Sequence, residues 1–189
     1  MKNNNDRTEL TYHNKNISEL LSTAKKDFSI AGKITYELFS LKLESKAIEF
    51  LAKFIEDNNH LYSLRNDEKT EVWIYHDGIY VQQGKTIIKE QLRKILGSGM
   101  KIKYLPDILL RIELDTMIDI EEFFSHISSE KYLHLIPIKN GIFNINTKKL
   151  EKFNPKIIFT TKIPISYNPK ATCPKIEGFI QGVFETDNP

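Results

Sequence analysis

Lysines and aromatic side chains are interleaved in the C-terminal part of this 189-residue chain, a pattern that suits contact with single-stranded nucleic acid. Residues 131–175 contain nine lysines and one acid, Glu151, and therefore carry a net charge of +8. Cations bind phosphates and aromatic rings stack on bases, so the two together can hold a strand without reading its sequence. The aromatic residues among these lysines are Phe143, Phe153, Phe159 and Tyr167.

Charge is segregated along the rest of the chain, although the whole sequence carries only +2. Residues 105–130 hold seven acids and one base, a net charge of −6, and residues 84–103 have a net charge of +5. Segregated charge can form a basic face for nucleic acid, or it can let the acidic face of one subunit meet the basic face of a neighbour. A set of merely solvated lysines is the third interpretation.

Signals for catalysis or metal binding are weak. The sequence has no Gly-x-x-x-x-Gly-Lys-Ser/Thr phosphate loop, so we expect no ATP hydrolysis by this chain. The five histidines do not have the paired spacings of a zinc site. Four carboxylates could collect Mg²⁺, but acids at a helix start equally complement the helix dipole. These are Asp115, Asp119, Glu121 and Glu122. We therefore predict no catalytic residue, metal or cofactor in this chain.

Composition is that of a globular protein, with 40% hydrophobic and 28% charged residues. No apolar run reaches the length of about 18 residues that a membrane span requires. The polar N-terminus lacks the apolar stretch of a secretory signal, and the single cysteine, Cys173, cannot form an internal disulfide. These features predict a cytoplasmic location without membrane contact.

Hydrophobic periodicity predicts an α+β fold, in which a helical N-terminal part precedes a mixed domain of β-hairpins and short helices. Residues 1–16 are polar and are predicted to form a disordered tail. Residues 17–59 are predicted to be a helical segment, and residues 60–189 an α+β domain.

Helix signals can be placed more closely. Ser18 is expected to cap the first helix and Gly32 to interrupt the helical pattern. Residues 44–57 form the clearest helix, because their apolar side chains fall on one stripe. Further helices are predicted over 85–96, 103–115, 120–128 and a short segment near the C-terminus.

Strand signals mark two hairpins. His76-Asp77-Gly78 predicts a tight turn between two strands, and Asn140-Gly141 predicts another. Aromatic residues on strands are usually core, but exposure is favoured for Tyr75 and Tyr80 because they lie near a hairpin tip. Pro164 makes the extended run around it an edge strand or irregular.

Three motifs, in their order and spacing, resemble the domain immediately N-terminal to the superfamily 3 helicase in phage, plasmid, archaeal-virus and poxvirus primase-helicases. They are VWIYHDGIYVQQG (72–84), LIPIKNGIFNINTKKLEKFNP (135–155) and FTTKIPISYNPKATCPKIEGFIQGVF (159–184). The resemblance covers about residues 58–187. Asn144 replaces the aspartate that the family commonly has, and Leu109-Leu110-Arg111 stands where many members have a basic pair.

The resemblance implies a viral or plasmid-type replication protein whose intact form uses ATP and Mg²⁺ to unwind DNA as a hexameric ring. This chain would be a non-catalytic N-terminal region, a fragment or a natural product without the motor. Its expected partners are single-stranded or forked DNA and further copies of itself, in the host cytoplasm if the source is viral.

The lysine block and the resemblance together suggest a set of DNA-contacting residues. The first group lies in the block, and the second is a patch on the predicted helix 85–96. They are Lys139, Lys148, Lys149, Lys152 and Lys162, and then Arg93 and Lys94.

Other functional classes remain open at this level. A stand-alone DNA-binding regulator of a mobile element would read duplex DNA with a helix, for which residues 85–96 are the candidate. A protein-interaction module would bind no nucleic acid. An undetected nuclease or primase activity is a poorer alternative, because the acids do not cluster with a histidine or lysine partner.

Overall fold

The computed structural model describes residues 12–65, 69–99, 102–127 and 129–185 and confirms the predicted α+β class. Within these residues it has seven helices and two small sheets, and no helix is both long and apolar enough to cross a membrane. The helices are α1 (Ile17–Ala24), α2 (Phe28–Ser40), α3 (Glu44–Asn58), α4 (Gly84–Leu96), α5 (Leu105–Asp115), α6 (Ile120–Ile127) and α7 (Pro174–Glu185). The strands are β1 (Leu61–Leu64), β2 (Glu71–His76), β3 (Ile79–Val81), β4 (Met117–Ile118), β5 (Leu135–Ile138), β6 (Gly141–Asn144) and β7 (Lys149–Glu151).

Two compact units divide the chain. The first contains the described residues up to Leu133 together with Asn154–Thr161, and the second contains His134–Phe153 and the residues from Lys162 onward. The predicted boundary near residue 59 falls where α3 gives way to β1, and residues on both sides of it contribute to one hydrophobic core.

The predicted tail falls partly within the described residues. Residues 1–11 lie outside them. Tyr12, the first that the structure describes, is buried, and its N–H donates to Glu37 Oε1 at 2.6 Å.

The first unit is built around a four-stranded sheet in the order β3-β2-β1-β4, in which only the β1–β4 pair is parallel. Alternate residues of β2 point to opposite faces. Val72 and Ile74 join the large core formed with the helices, whereas Trp73 packs in a second cluster. The sheet is therefore buried on both faces, which explains why β2 is almost continuously apolar or aromatic.

The second face of this sheet carries an aromatic cluster. Trp73, Tyr80 and Phe123 of α6 are buried there, with Phe123 lying 5.3 Å from Trp73 between ring centroids. Ile158, from the segment Asn154–Thr161, also packs into this cluster and helps to cover this face of the sheet. The expected exposure of Tyr80 is wrong, because only 1% of this residue is accessible. Tyr75 is half-buried beside it.

Two expectations about the helical segment are also wrong. Asn16, and not Ser18, caps α1: its side chain accepts from the Glu19 N–H at 2.9 Å, and the Glu19 carboxylate accepts from the Asn16 N–H at 2.8 Å. Gly32 lies inside α2 and does not break it. A Cβ at Gly32 would stand 2.5 Å from the backbone oxygen of Ile95, so the glycine permits close packing of α2 against the end of α4.

The second unit is a three-stranded antiparallel ribbon, β5-β6-β7, followed by irregular chain and α7. A short parallel contact adds the segment around Pro164 to β5, since Ile163 N–H donates to the Pro137 oxygen and Lys139 N–H donates to the Ile165 oxygen. The rest of that segment is irregular, as its proline predicted. Four apolar residues of α7 are exposed, and Phe179 is 72% accessible; they are Ile176, Phe179, Ile180 and Val183.

The turn of the β5–β6 hairpin lies one residue earlier than predicted. Ile138 pairs with Gly141, so the two loop residues are Lys139 and Asn140. Gly141 has the positive φ, at 155°. A Cβ at Gly141 would collide with the backbone oxygen of Glu151 and lie 3.0 Å from Leu150 Cδ1, so close approach of β7 requires glycine here.

Replacing Gly141 by alanine or valine should therefore destabilise the ribbon by about 1–3 kcal/mol, because the backbone would be strained and β7 displaced. Amide hydrogen exchange of β6 and β7 measures the effect directly. Gly178→Ala is the matched control, since a Cβ at this position of α7 meets nothing within 4 Å. It should leave exchange in the ribbon unchanged, and equal protection in Gly141→Ala and wild type would contradict the role of Gly141.

Candidate nucleic-acid interface

Four of the five ribbon lysines predicted to contact DNA lie at the two ends of the second unit's sheet. Lys148 and Lys149 are at the β6–β7 turn. Lys139 is in the β5–β6 turn, and Lys152 follows β7 at the same end, because β7 runs antiparallel to β6 with Glu151 opposite Ile142. All four are exposed.

Asn144 fixes the turn that carries Lys148 and Lys149. It is only 8% accessible. Its side-chain oxygen accepts from the N–H groups of Asn146 and Thr147, both at 3.1 Å, and its side-chain nitrogen donates to Glu151 Oε1 at 2.8 Å. One amide thus closes the turn and ties it to β7. A carboxylate could accept both N–H bonds but could not donate to Glu151.

Asn140 performs a similar task at the other end. Its side-chain oxygen accepts from the Tyr167 N–H and its nitrogen donates to the Tyr167 oxygen, both at 3.0 Å. The Tyr167 ring then lies 4.8 Å from Phe143, and its hydroxyl donates to the Lys148 oxygen at 3.4 Å. Two half-buried aromatic rings therefore lie on the same small sheet as the lysines.

The charges of these lysines are uncompensated within the described part of the chain. Among the residues that the structure describes, no carboxylate lies within ion-pair distance of Lys139, Lys148, Lys149 or Lys152. Lys162 is half-buried, and its Nζ lies 5.6 Å from the centre of the Phe153 ring. Uncompensated, exposed lysines are available to phosphates.

The second predicted patch belongs to the first unit. Arg93 and Lys94 are exposed in the last turn of α4, where cations complement the helix dipole. Arg93 donates to the Gly97 oxygen at 2.6 Å, so its guanidinium closes the end of its own helix. The structure therefore places the seven predicted residues in two different units.

The acidic segment is partly neutralised inside the first unit. Glu113 pairs with Lys85 at 2.8 Å, Asp115 with Lys53 at 2.8 Å and Asp119 with Arg65 at 3.7 Å. The other four acids are exposed and form no ion pair among the described residues; they are Asp107, Glu121, Glu122 and Glu130.

The four carboxylates considered for Mg²⁺ do not meet. In the described ranges, no group of three or more His, Cys, Asp or Glu side chains is placed to hold a metal ion. Asp115 and Asp119 are engaged by basic side chains, and Glu121 and Glu122 occupy the first turn of α6.

Comparison with known proteins identifies the family. A family profile described as D5 N terminal like matches residues 52–185. The chain belongs to this family. It is related to the N-terminal domain of D5-type primase-helicases, so the resemblance carried by the three sequence motifs is confirmed. No curated protein matches the chain.

The D5 N terminal like match covers parts of both compact units and begins within α3. The helices α1 and α2, which precede the match, nevertheless pack into the same core as β1 and β2. The hydrophobic core of this family member therefore includes residues upstream of the matched segment.

Sequence reasoning named the ribbon lysines as candidate DNA contacts but missed the two asparagines that hold the ribbon. Asn144 was noted only as a departure from the family's aspartate, and Asn140 only as a turn residue. Asparagine is frequent in turns, and that preference does not reveal a bond to a segment 27 residues away.

Asn144→Asp should destabilise the β6–β7 turn by about 1 kcal/mol or more at neutral pH, because a donor to Glu151 becomes a second carboxylate. Proximity raises the pKa of such a carboxyl pair in the folded state. The wild-type advantage should therefore shrink as the pH falls through the raised pKa of the pair, and it should be largely lost below about 4, where both carboxyls are protonated in the folded and the unfolded variant.

Urea unfolding at neutral and acidic pH measures this difference. Asn146→Asp is the control. Asn146 is exposed in the same turn, and it binds Asn144 through its backbone N–H and not through its side chain. A wild-type advantage that is the same at both pH values would contradict the proposed contact between residues 144 and 151.

Proposed function

We propose that this chain is the non-catalytic N-terminal region of a replicative primase-helicase and that its lysine ribbon contacts DNA beside an ATP-dependent motor. Membership of the D5 N terminal like family supports the replication context. The observation that carries the DNA contact is the lysine ribbon, defined as the sheet β5-β6-β7 with Lys139, Lys148, Lys149 and Lys152. Its lysines are exposed and have no carboxylate partner in the described residues.

The form of the ribbon favours contact with phosphates over base reading. Sequence-specific recognition in a duplex normally uses a helix or a two-stranded ribbon whose side chains reach the base edges of the major groove. Lysines at both ends of a three-stranded sheet instead provide separated positive charges. Phe143 and Tyr167 add rings on which unpaired bases can stack, so single-stranded or forked DNA is the expected partner.

The alternative of a duplex reader using α4 receives less support. Ile88, Leu92 and Ile95 bury one side of this helix in the core. Its remaining surface mixes Lys89 and Arg93 with Glu90. Arg93 is also engaged with the helix end, which leaves few side chains to read base edges.

Charge also supports association between copies of the chain. The exposed acids Glu121 and Glu122 begin α6 in the first unit, whereas the lysine ribbon belongs to the second. A head-to-tail contact between unlike surfaces closes into a ring when the rotation permits it. The intact protein would then be a hexamer that binds ATP and Mg²⁺ through its motor.

The wild-type chain should bind a labelled single strand weakly and without sequence preference. If the ribbon contacts about four phosphates, log K should fall with log salt at a slope of about −3. Changing Lys148, Lys149 and Lys152 to Glu should flatten that slope without unfolding the protein, because exposed lysines contribute little to stability.

Fluorescence anisotropy over a salt series measures the slope. The control carries the same charge change at three exposed lysines of the first unit, Lys25, Lys26 and Lys42, and should keep the wild-type slope. Absence of binding by the wild type at about 50 mM salt would refute DNA contact by this chain.

Self-association of the chain should appear only at high concentration and should weaken as salt is added. Changing Glu121 and Glu122 to Gln should reduce it, because the acidic partner of the lysine ribbon loses charge. Light scattering over a concentration series measures the effect, with Asp57→Asn and Glu90→Gln together as the control. A stable symmetric dimer that ignores salt would count against head-to-tail assembly.

A further inference from the structure

The Asn140-Gly141 pair at the β5–β6 turn combines chemical reactivity with a structural role. Asn140 is the only asparagine of the chain that a glycine follows. Because glycine has no Cβ, its backbone nitrogen can approach the side-chain carbonyl carbon of the preceding asparagine closely. This approach is the first step of spontaneous deamidation, a reaction that requires neither an enzyme nor a cofactor.

The other asparagines of the second unit are less reactive because of the residues that follow them. Asn168 precedes a proline, whose nitrogen has no proton to lose and cannot attack. Asn144 and Asn146 precede Ile145 and Thr147, whose branched side chains crowd the attacking nitrogen. The sequence of the unit therefore directs this chemistry to position 140.

The reaction at Asn140 balances without an oxidant or a second organic substrate. The Gly141 nitrogen loses its proton to solvent base and attacks Cγ of Asn140, so that a C–N bond forms. The Cγ–Nδ2 bond breaks, and ammonia leaves with a proton from water. Water then opens the cyclic imide at either carbonyl and gives an aspartyl or an isoaspartyl residue. In total, one amide and one water become one carboxylic acid and one ammonia.

The side-chain amide of Asn140 is exposed to solvent but is held at both of its polar atoms. Oδ1 accepts from the Tyr167 N–H and Nδ2 donates to the Tyr167 oxygen, both at 3.0 Å, and these two bonds form the Asn140 clamp. Ring closure makes Cγ tetrahedral and brings it onto the Gly141 nitrogen, a geometry that a planar amide held at both ends does not adopt. Deamidation therefore requires the clamp to open, and the open fraction sets its rate.

The Asn140 clamp ties the segment around Tyr167 to the lysine ribbon. The backbone N–H groups of Ile163 and Lys139 make further bonds between this segment and β5. A carboxylate at position 140 could accept from the Tyr167 N–H, but it could not donate to the Tyr167 oxygen and would repel it. An isoaspartyl residue would also lengthen the main chain by one carbon inside a two-residue loop. Either product therefore weakens the attachment of the segment.

We propose that Asn140 is a site of spontaneous deamidation, protected by its clamp, and that the reaction releases the segment around Tyr167 from the lysine ribbon. The product also places a negative charge beside Lys139, one of the exposed ribbon lysines. Weaker contact with phosphates follows from that charge. This last consequence rests on the DNA-contacting function proposed above, whereas the modification and the release do not.

Peptide mapping by mass spectrometry tests the reaction while the whole chain is incubated in a mildly alkaline buffer. A synthetic peptide of residues 136–145 is the reference, because it has the Asn-Gly pair without Tyr167. Conversion at position 140 should occur in the chain roughly tenfold more slowly than in the peptide, since only the open fraction reacts. Asn168 is the internal control and should keep its amide. Equal rates, or no conversion in the chain once the peptide is fully converted, would overturn the proposal.

Weakening the clamp should accelerate the reaction. Tyr167→Ala removes the ring contact with Phe143 and the hydroxyl bond to the Lys148 oxygen but keeps the backbone atoms that hold the amide. Conversion at position 140 should become several-fold faster in this variant. Phe179→Ala removes an exposed ring from α7 of the same unit and should leave the rate unchanged. A rate in Tyr167→Ala equal to that of the wild type would contradict protection by the clamp.

Asn140→Asp reproduces the aspartyl product and tests its effect on the ribbon. At neutral pH, amide hydrogen exchange at Ile163 and Lys139, whose N–H groups join the segment to β5, should be faster than in the wild type. Asn146→Asp adds the same charge at an exposed position of the β6–β7 turn and should leave this exchange unchanged. Exchange in Asn140→Asp at the wild-type rate would show that the segment is not released and would overturn that part of the proposal.

The outcomes for the modification and for DNA contact are separable. Conversion at position 140 and hydrogen exchange are both measured without DNA, so absence of strand binding by the wild type would overturn the proposed function alone. Strand binding with the expected salt slope, but without conversion in the chain, would overturn the modification alone.

Discussion

Burial of the first sheet on both faces is the constraint on which much of this structure depends. Alternate residues of β2 send Val72 and Ile74 into the helical core and Trp73 into the aromatic cluster. A strand of this kind needs cover on two sides. The helices α1 to α5 cover one face, whereas α6 and the segment Asn154–Thr161 cover the other, so residues distant in sequence must return to the first unit.

The lysine ribbon is stabilised differently, because it is too small to form a large core. Ile138 and Ile142 are buried, but much of the remaining apolar surface of the second unit is exposed. Side-chain amides supply what apolar burial does not: Asn140 fixes the Tyr167 backbone, and Asn144 closes the β6–β7 turn. Hydrogen bonds of this kind hold a defined geometry with few residues, which suits a surface whose charges must stay exposed.

The two units differ in how their charged side chains are paired, although the net charge of the whole chain is only +2. In the first unit, lysines and arginines meet carboxylates, as Lys85 does with Glu113. In the described part of the second, the ribbon lysines have no such partners, so they retain their attraction for an external anion. The proposed contact of the ribbon with phosphates uses this division.

The sequence by itself determined the fold class, most of the helices, the first hairpin and the family, because periodicity, turn residues and ordered motifs are local signals. Tertiary structure decided the rest. The sequence predicts that Gly32 breaks a helix, whereas in the structure it lies inside α2 and allows close packing against the backbone at Ile95. The sequence predicts that Tyr80 is exposed, whereas Phe123 and Ile158, which are distant in sequence, cover it. The contact between Asn140 and Tyr167 was invisible for the same reason, since it joins segments 27 residues apart in the chain.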